Sequence, residues 1–175
     1  MEKTEIRISG LGGQGVVLAG QILGRAAAYD GKNVVQTQSY GAEARGSMAK
    51  SEVIISDSKI GFPIVRKCDI LVAMSQDAVT RNIKDLKEEG ILLLDSSLKN
   101  TLGIKARILR IPATEIAESS CGEKLYANMV MLGALVRVSS IVSEKSMERA
   151  IMDSISEKSI SANLWAYRKG KKLIN

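Results

Sequence analysis

Residues Ile6, Arg7 and Ile8 alternate apolar and polar side chains, the period of a strand with one buried face, and run straight into glycine-rich sequence. From residue 13 to residue 30 the period changes. Val16, Ala19, Leu23, Ala26 and Ala27 fall on one helical face, and Gly31 stands where a helix commonly ends in a left-handed residue. Residues 33–37 and 51–56 predict a second and a third strand. Residues 69–74 and 91–95 are continuous apolar runs of the kind buried on both sides of a parallel sheet. Between them, residues 76–89 predict an amphipathic helix with Ser75 as its N-cap. Residues 107–111 predict a last strand, stopped by Pro112. Thereafter residues 114–119, 125–142, 144–157 and 162–173 all predict helix, with Met129, Leu132 and Val136 as a core stripe. Strands alternating with helices, then a helical end, define an α/β fold in three layers: a mainly parallel sheet flanked by helices, with a helical C-terminal segment. No repeat or linker divides the chain, so residues 1–175 read as a single domain.

The chain of 175 residues is 45% apolar and 25% charged, ordinary values for a globular domain able to bury its own core. Apolar runs such as Val16 to Ala19 fall far short of the ~20 residues a membrane-spanning helix needs. The opening Met1-Glu2-Lys3-Thr4 carries no signal-peptide pattern, so no membrane association and a cytoplasmic location are expected. Histidine is absent, and the two cysteines, Cys68 and Cys121, form no CxxC pair. A Ser-His-Asp triad, a histidine zinc site and an iron–sulfur cluster are thereby excluded, and no catalytic or metal-ligating residue is assigned. Of the net charge of +6, Arg168, Lys169, Lys171 and Lys172 supply +4 in an acid-free tail, leaving +2 for the rest. With six aromatic residues in the chain, nucleic-acid binding is not expected.

Three segments carry candidate chemistry. Gly10-Leu11-Gly12-Gly13-Gln14-Gly15, between the first strand and first helix, has the spacing of a dinucleotide fingerprint. Missing side chains let backbone N–H groups at the positive end of a helix approach a phosphate. The acidic residue that would hold a ribose is missing from Gln36-Thr37-Gln38, so phosphate binding, a tight structural turn and true dinucleotide binding all stay open. The second segment, Gln38-Ser39-Tyr40-Gly41-Ala42-Glu43-Ala44-Arg45-Gly46-Ser47, would face the same crevice. Arg45 could clamp a phosphate or carboxylate and Tyr40 offers a flat face and a hydroxyl, against a bland reading as a solvated loop with a local Glu43–Arg45 pair. The third is Asn128, an amide in an apolar run, which either pins a loop or touches a ligand.

Together these segments resemble the gamma subunit of the 2-oxoacid:ferredoxin oxidoreductases. The resemblance rests on Gly10 to Val16, Gln38 to Gly46, Ser51-Glu52-Val53, Ile60 with Pro63, Ile111-Pro112-Ala113 and Asn128 to Ala134, in order over nearly the whole chain. The second loop is more similar to the 2-oxoglutarate type than to the pyruvate type, which usually reads Phe-Gly-Val-Glu-Arg-Arg-Gly; the indolepyruvate enzyme's small subunit shares the domain. Ser47 stands where a second glycine is common and Ala42 where proline is common. The resemblance implies a component of a multisubunit enzyme that converts a 2-oxoacid to acyl-CoA, carbon dioxide and reduced ferredoxin. It puts thiamine diphosphate between alpha and beta subunits and iron–sulfur clusters on partner chains, with a delta, ferredoxin-like subunit as a further partner. Coenzyme A is the one cofactor associated with the gamma domain itself. Its candidate contacts are Gly10, Gly12, Gly13, Gln14, Gly15, Ser39, Tyr40, Gly41, Glu43, Arg45, Gly46 and Asn128. The competing classes are a standalone dinucleotide-binding oxidoreductase and a purely scaffolding module. A subunit built for partners is also expected to self-associate when isolated.

Overall fold

The computed structural model describes residues 3–41, 47–99, 103 and 105–174. Its strands are β1 (Thr4–Leu11), β2 (Asn33–Tyr40), β3 (Met48–Ser56), β4 (Cys68–Ala73), β5 (Leu86–Asp95) and β6 (Arg107–Ile111). Its helices are α1 (Val16–Tyr29), α2 (Gln76–Asn82), α3 (Ala113–Cys121), α4 (Ala127–Ser139), α5 (Glu144–Met152) and α6 (Glu157–Lys172). They form the expected α/β architecture around one sheet of order β2-β3-β1-β4-β5-β6. β1, β4, β5 and β6 are mutually parallel, and β3 alone runs against its neighbours. The loop between β2 and β3 is too short for a crossover, which takes a dozen or more residues, so these two strands close as a hairpin. After β1 the chain goes to one side of that strand, then returns to the other side as β4. Such a reversal opens a crevice at the carboxyl ends of β1 and β4.

The helical layer lies almost wholly on one face. There Ile6, Ile8, Val53, Ile55, Val72 and Leu93 pack under a continuous apolar core with α1, α3, α4, α5 and α6. The expected stripe on α4 is a complete ring: residues 127–136 are all buried. Gly133 and Gly170 explain how α6 comes so close. A Cβ on Gly133 would overlap the Tyr167 carbonyl, and one on Gly170 would overlap the carbonyl of Val130. The opposite face carries a smaller core of Ile54, Leu71, Ala73, Leu92 and Leu94 under α2 and Val65.

That second face holds a charged cluster. Arg7 is 3% exposed. Its guanidinium pairs with Glu52 at 2.7 Å and Asp85 at 2.6 Å, and donates to the Val65 carbonyl at 3.1 Å. Burial opposes the charge on Arg7, but Asp85 and Glu52 overcome it and raise the pKa above its ordinary value. The cluster also explains a correction. The helix predicted over 76–89 ends at Asn82, and after a 3-10 turn (Ile83–Asp85) the chain becomes β5. Leaving the helix brings Asp85 to Arg7 and lets Leu86 pair with Cys68. Ser75 caps α2 as predicted, accepting from the Ala78 N–H at 3.1 Å. Gly31 adopts φ +74 at the end of α1, also as predicted. The last helices differ in extent: α4 follows a 3-10 turn (Lys124–Tyr126), α5 stops at Met152 and α6 starts at Glu157.

The basic tail is the end of α6, where cations suit the helix dipole. Arg168 makes a two-pronged pair with Glu148 at 2.7 and 2.9 Å, Lys171 pairs with Glu144, and Lys169 lies 5.1 Å from the Trp165 ring. Among the described residues, no helix is long and apolar enough to cross a membrane.

Candidate functional site

The glycine-rich turn sits in the crevice between the carboxyl ends of β1 and β4, and side chains hold it there. Gln14 folds back so that Oε1 accepts the Leu11 N–H at 2.7 Å, while Nε2 donates to the Met74 carbonyl at 2.9 Å. One amide thus bridges the end of β1 and the residue after β4. Asn128, 3% exposed at the start of α4, donates from Nδ2 to the Gly15 carbonyl at 3.1 Å and accepts the Met129 N–H at 2.8 Å. The Gly12 N–H donates to the Ser47 carbonyl at 2.8 Å, tying the turn to the base of the β2–β3 loop. Gln14 and Asn128 therefore each hold the turn with one end of the amide and anchor it to the residue after β4 or to α4 with the other, and Asn128 occupies the pinning position of its two readings.

The glycines divide by cause. A Cβ on Gly10 would lie 2.5 Å from Gln14 Oε1, and one on Gly15 would overlap the Asn128 amide. Gly13 and Gly15 adopt φ +91 and +69, where side chains are strained. Gly12 has no such cause among the described residues. Its φ is not in the left-handed region, and a Cβ there would meet the Ser47 carbonyl oxygen at an ordinary 3.5 Å. Gly12 and Gly13 are exposed. Behind them α1 begins with no side-chain cap and no acidic residue in its first turn. Its leading N–H groups and the dipole favour an anion.

The second loop is only partly brought to this turn. In register, Tyr40 lies beside Ala49, and Ala49 beside Gly10, so the three share the face that carries α1. Tyr40 is 61% exposed there, two strand spacings from the turn. Gly41 donates to the Met48 carbonyl at 2.7 Å and closes the hairpin. Ser39, paired with Lys50 and through it with Ser9, is on the other face and does not join them. Glu43, Arg45 and Gly46 lie outside the described residues.

Two buried charged groups had not been expected from the sequence. Asp95 ends β5 at the same sheet edge, 2% exposed. It accepts from Ser97 N–H at 3.0 Å, Ser97 Oγ at 2.7 Å, Thr114 N–H at 2.8 Å and Thr114 Oγ1 at 2.8 Å, and so ties the end of β5 to the start of α3. An aspartate closing an apolar run before Ser96-Ser97 is the signal of such a turn. Arg7, the other, had no local signal. The described residues hold no cluster of three or more His, Cys, Asp or Glu side chains suited to a metal. Burial pushes the Cys68 thiol up to about 11, despite nearby Arg7, so it stays protonated and inert near neutrality.

Among the described residues, what this crevice presents is bare glycine backbone and the leading N–H groups of α1, an arrangement suited to holding an anion. The chain belongs to the family described as pyruvate ferredoxin/flavodoxin oxidoreductase, whose model matches residues 5–173. Within it, the chain is 52% identical to 2-oxoglutarate synthase subunit KorC of Methanocaldococcus jannaschii, over 96% of this chain and 92% of that one. Its fold is similar to the gamma subunit of a keto/oxoacid ferredoxin oxidoreductase from Geobacter sulfurreducens, with TM-score 0.86 and 41% identity, covering 97% and 96% of the two chains. It is also similar to 2-oxoglutarate:ferredoxin oxidoreductase from Magnetococcus marinus, a structure with 2-oxoglutarate, coenzyme A and succinyl-CoA bound. There the TM-score is 0.90 at 26% identity, covering 99% of this chain and 31% of that one. The gamma-type resemblance read from Gly10 to Gly15 and Asn128 to Ala134 thus holds over the whole fold, and neither a standalone dinucleotide oxidoreductase nor a mere scaffold is favoured.

Proposed function

We propose that this chain is the gamma subunit of a multisubunit 2-oxoglutarate:ferredoxin oxidoreductase of the cytoplasm. In this reading it assists assembly, and its glycine turn accepts a phosphate of coenzyme A. The complex decarboxylates the 2-oxoacid oxidatively to acyl-CoA and carbon dioxide and passes the electrons to ferredoxin. Thiamine diphosphate, held between alpha and beta subunits, supplies the carbanion chemistry, and iron–sulfur clusters on partner chains, a delta subunit among them, carry the electrons. The observation that carries the assignment is the 52% identity to a 2-oxoglutarate synthase subunit over 92% of its length. For the ligand, the supporting observation is Gly12. It is bare backbone that the described protein does not itself require, in front of the uncapped start of α1.

The division of labour has direct consequences. The purified chain alone, given thiamine diphosphate, coenzyme A and an acceptor, turns over no 2-oxoacid, and tagged chain recovers larger partner subunits identifiable by mass. In the assembled complex, Arg45→Ala weakens use of coenzyme A about 10- to 100-fold, the equivalent of a charge-assisted contact of roughly 1.5–3 kcal/mol. Decarboxylation of the 2-oxoacid stays nearly intact. Gly13→Val is more damaging, because a branched side chain resists φ +91. An unchanged Michaelis constant for coenzyme A in an assembled Arg45→Ala complex overturns the ligand assignment and leaves the subunit assignment standing.

A further inference from the structure

The two edges of the sheet are finished differently. β6 has five residues, two of them arginines (Arg107 and Arg110), and shortness and charge are how natural edges resist further pairing. β2 runs eight residues, NVVQTQSY, with no charge, proline or glycine. It pairs with β3 in one unbroken register from Asn33 opposite Ser56 to Tyr40 opposite Ala49, so no bulge twists it away. No described strand lies beyond it. The Gly41 bond to Met48 fixes which groups face outward. Hydrogen-bonded partners of β3 alternate back from Gly41 through Ser39, Thr37 and Val35, so the N–H and C=O groups of Val34, Gln36, Gln38 and Tyr40 point away from the sheet.

We propose that this edge pairs with β2 of a second copy of the chain, antiparallel about a two-fold axis, joining two six-stranded sheets. The strand is complementary to itself. Centred on Thr37, the pairing sets Gln36 against Gln38 and Val34 against Tyr40, and every outward N–H and C=O meets its opposite. The two Thr37 residues then fall at the close, non-hydrogen-bonded position. Each pair shares a face, and hydroxyl pairs and aromatic pairs with β-branched residues are among the stabilising kinds. Charge permits it too. The chain carries +6 overall, yet the strand that would meet its own copy carries none, so the copies join where no like charges oppose.

Sedimentation of the full chain over a range of concentrations, with amide exchange, tests this. The wild type is expected to dimerise, with exchange at Val34, Gln36, Gln38 and Tyr40 slowing as concentration rises. Gln38→Pro removes an outward N–H that the hairpin does not use, a position where an edge strand tolerates proline. Gln38→Lys leaves the backbone intact and adds a charge, which keeps the test open if the proline variant folds poorly. Both are expected to weaken the dimer about tenfold or more with unchanged circular dichroism. The proposal is overturned by a wild type that stays monomeric, or by a dimer that both variants leave intact. It is equally overturned by protection of these amides only when other subunits are bound, which assigns the edge to a partner chain.

Discussion

The two faces of the sheet are stabilised by opposite means. On the helical face, contact is so close that backbone touches backbone, and glycine is the residue that allows it: Gly133 against Tyr167 and Gly170 against Val130. On the other face, the strand that lies deepest carries a buried guanidinium held by Glu52 and Asp85. The first kind of packing fails by overlap and tolerates no added atom. The second fails by isolation, because removing one partner strands a charge in a place that water does not reach.

The largest expected effect follows from overlap. Gly170→Val puts a branched side chain into the Val130 carbonyl, and nothing flexible can yield. A loss above ~4 kcal/mol is expected, read by urea unfolding or as failure to fold. A folded variant near wild-type stability breaks the comparison, since α6 could then stand off from α4 at little cost.

On the charged face, Arg7→Met is expected to cost about 3 kcal/mol, the low end for breaking a buried pair, because Glu52 keeps Lys50 at 3.4 Å and Asp85 is partly exposed. Adding Glu52→Leu should return much of that, because Glu52 is the more buried of the two carboxylates. If Arg7→Met costs under ~1 kcal/mol, the cluster is ornamental and the face is held by its apolar residues alone.

A smaller, pH-dependent effect belongs to the seam between α1 and α5. Burial pushes the Asp30 carboxyl up, but hydrogen bonds from Ser143 N–H at 2.5 Å, Ser143 Oγ at 2.6 Å and Ser146 Oγ at 2.5 Å outweigh it and leave the group below its ordinary value. A depressed carboxyl contributes stability that is full above its unfolded pKa of ~3.9 and is lost as pH falls through the folded value. Acid unfolding monitored below about pH 4 should therefore flatten in Asp30→Asn. An unaltered acid limb assigns that slope elsewhere.

The smallest expected effect sharpens the comparison from the helical side. Tyr167 Oη is buried with no hydrogen-bond partner among the described residues. Desolvation pushes its phenol well above the ordinary range, with Glu144 and Glu148 adding to it. Tyr167→Phe should stabilise by up to ~1 kcal/mol, read as a higher melting temperature. Destabilisation by that amount instead means the hydroxyl has a partner, and the face is less purely apolar than drawn.

The faces differed in legibility for the same reason. Val16, Ala19, Leu23, Ala26 and Ala27 repeat at helical spacing, and all five are buried where that spacing put them. Arg7 sits between Ile6 and Ile8 in an alternation that normally marks a solvated position. Its burial depends on Glu52 and Asp85, far along the chain, which no local period encodes. The same long-range demand cut short the helix predicted over residues 76–89. At the site, the glycines were legible and their causes were not. Gly15 must be glycine partly because of Asn128, 113 residues later. That Ser39 and Tyr40 face opposite ways follows from strand parity, once the loop residues are seen to continue β2 up to Tyr40.

The contact between α4 and α6 also sets a timetable for synthesis. Gly133 emerges from the ribosome before the residues that cover it, because Tyr167 and Gly170 are translated later. At 5–20 residues per second the interval is ~2–7 s. Throughout it the nascent chain displays the flank of an all-apolar helix, Met129 to Val136, with its partner still being made. Closure of this domain is therefore paced by translation, and slow codons between residues 133 and 170 would lengthen the window in which aggregation or chaperone capture competes with folding.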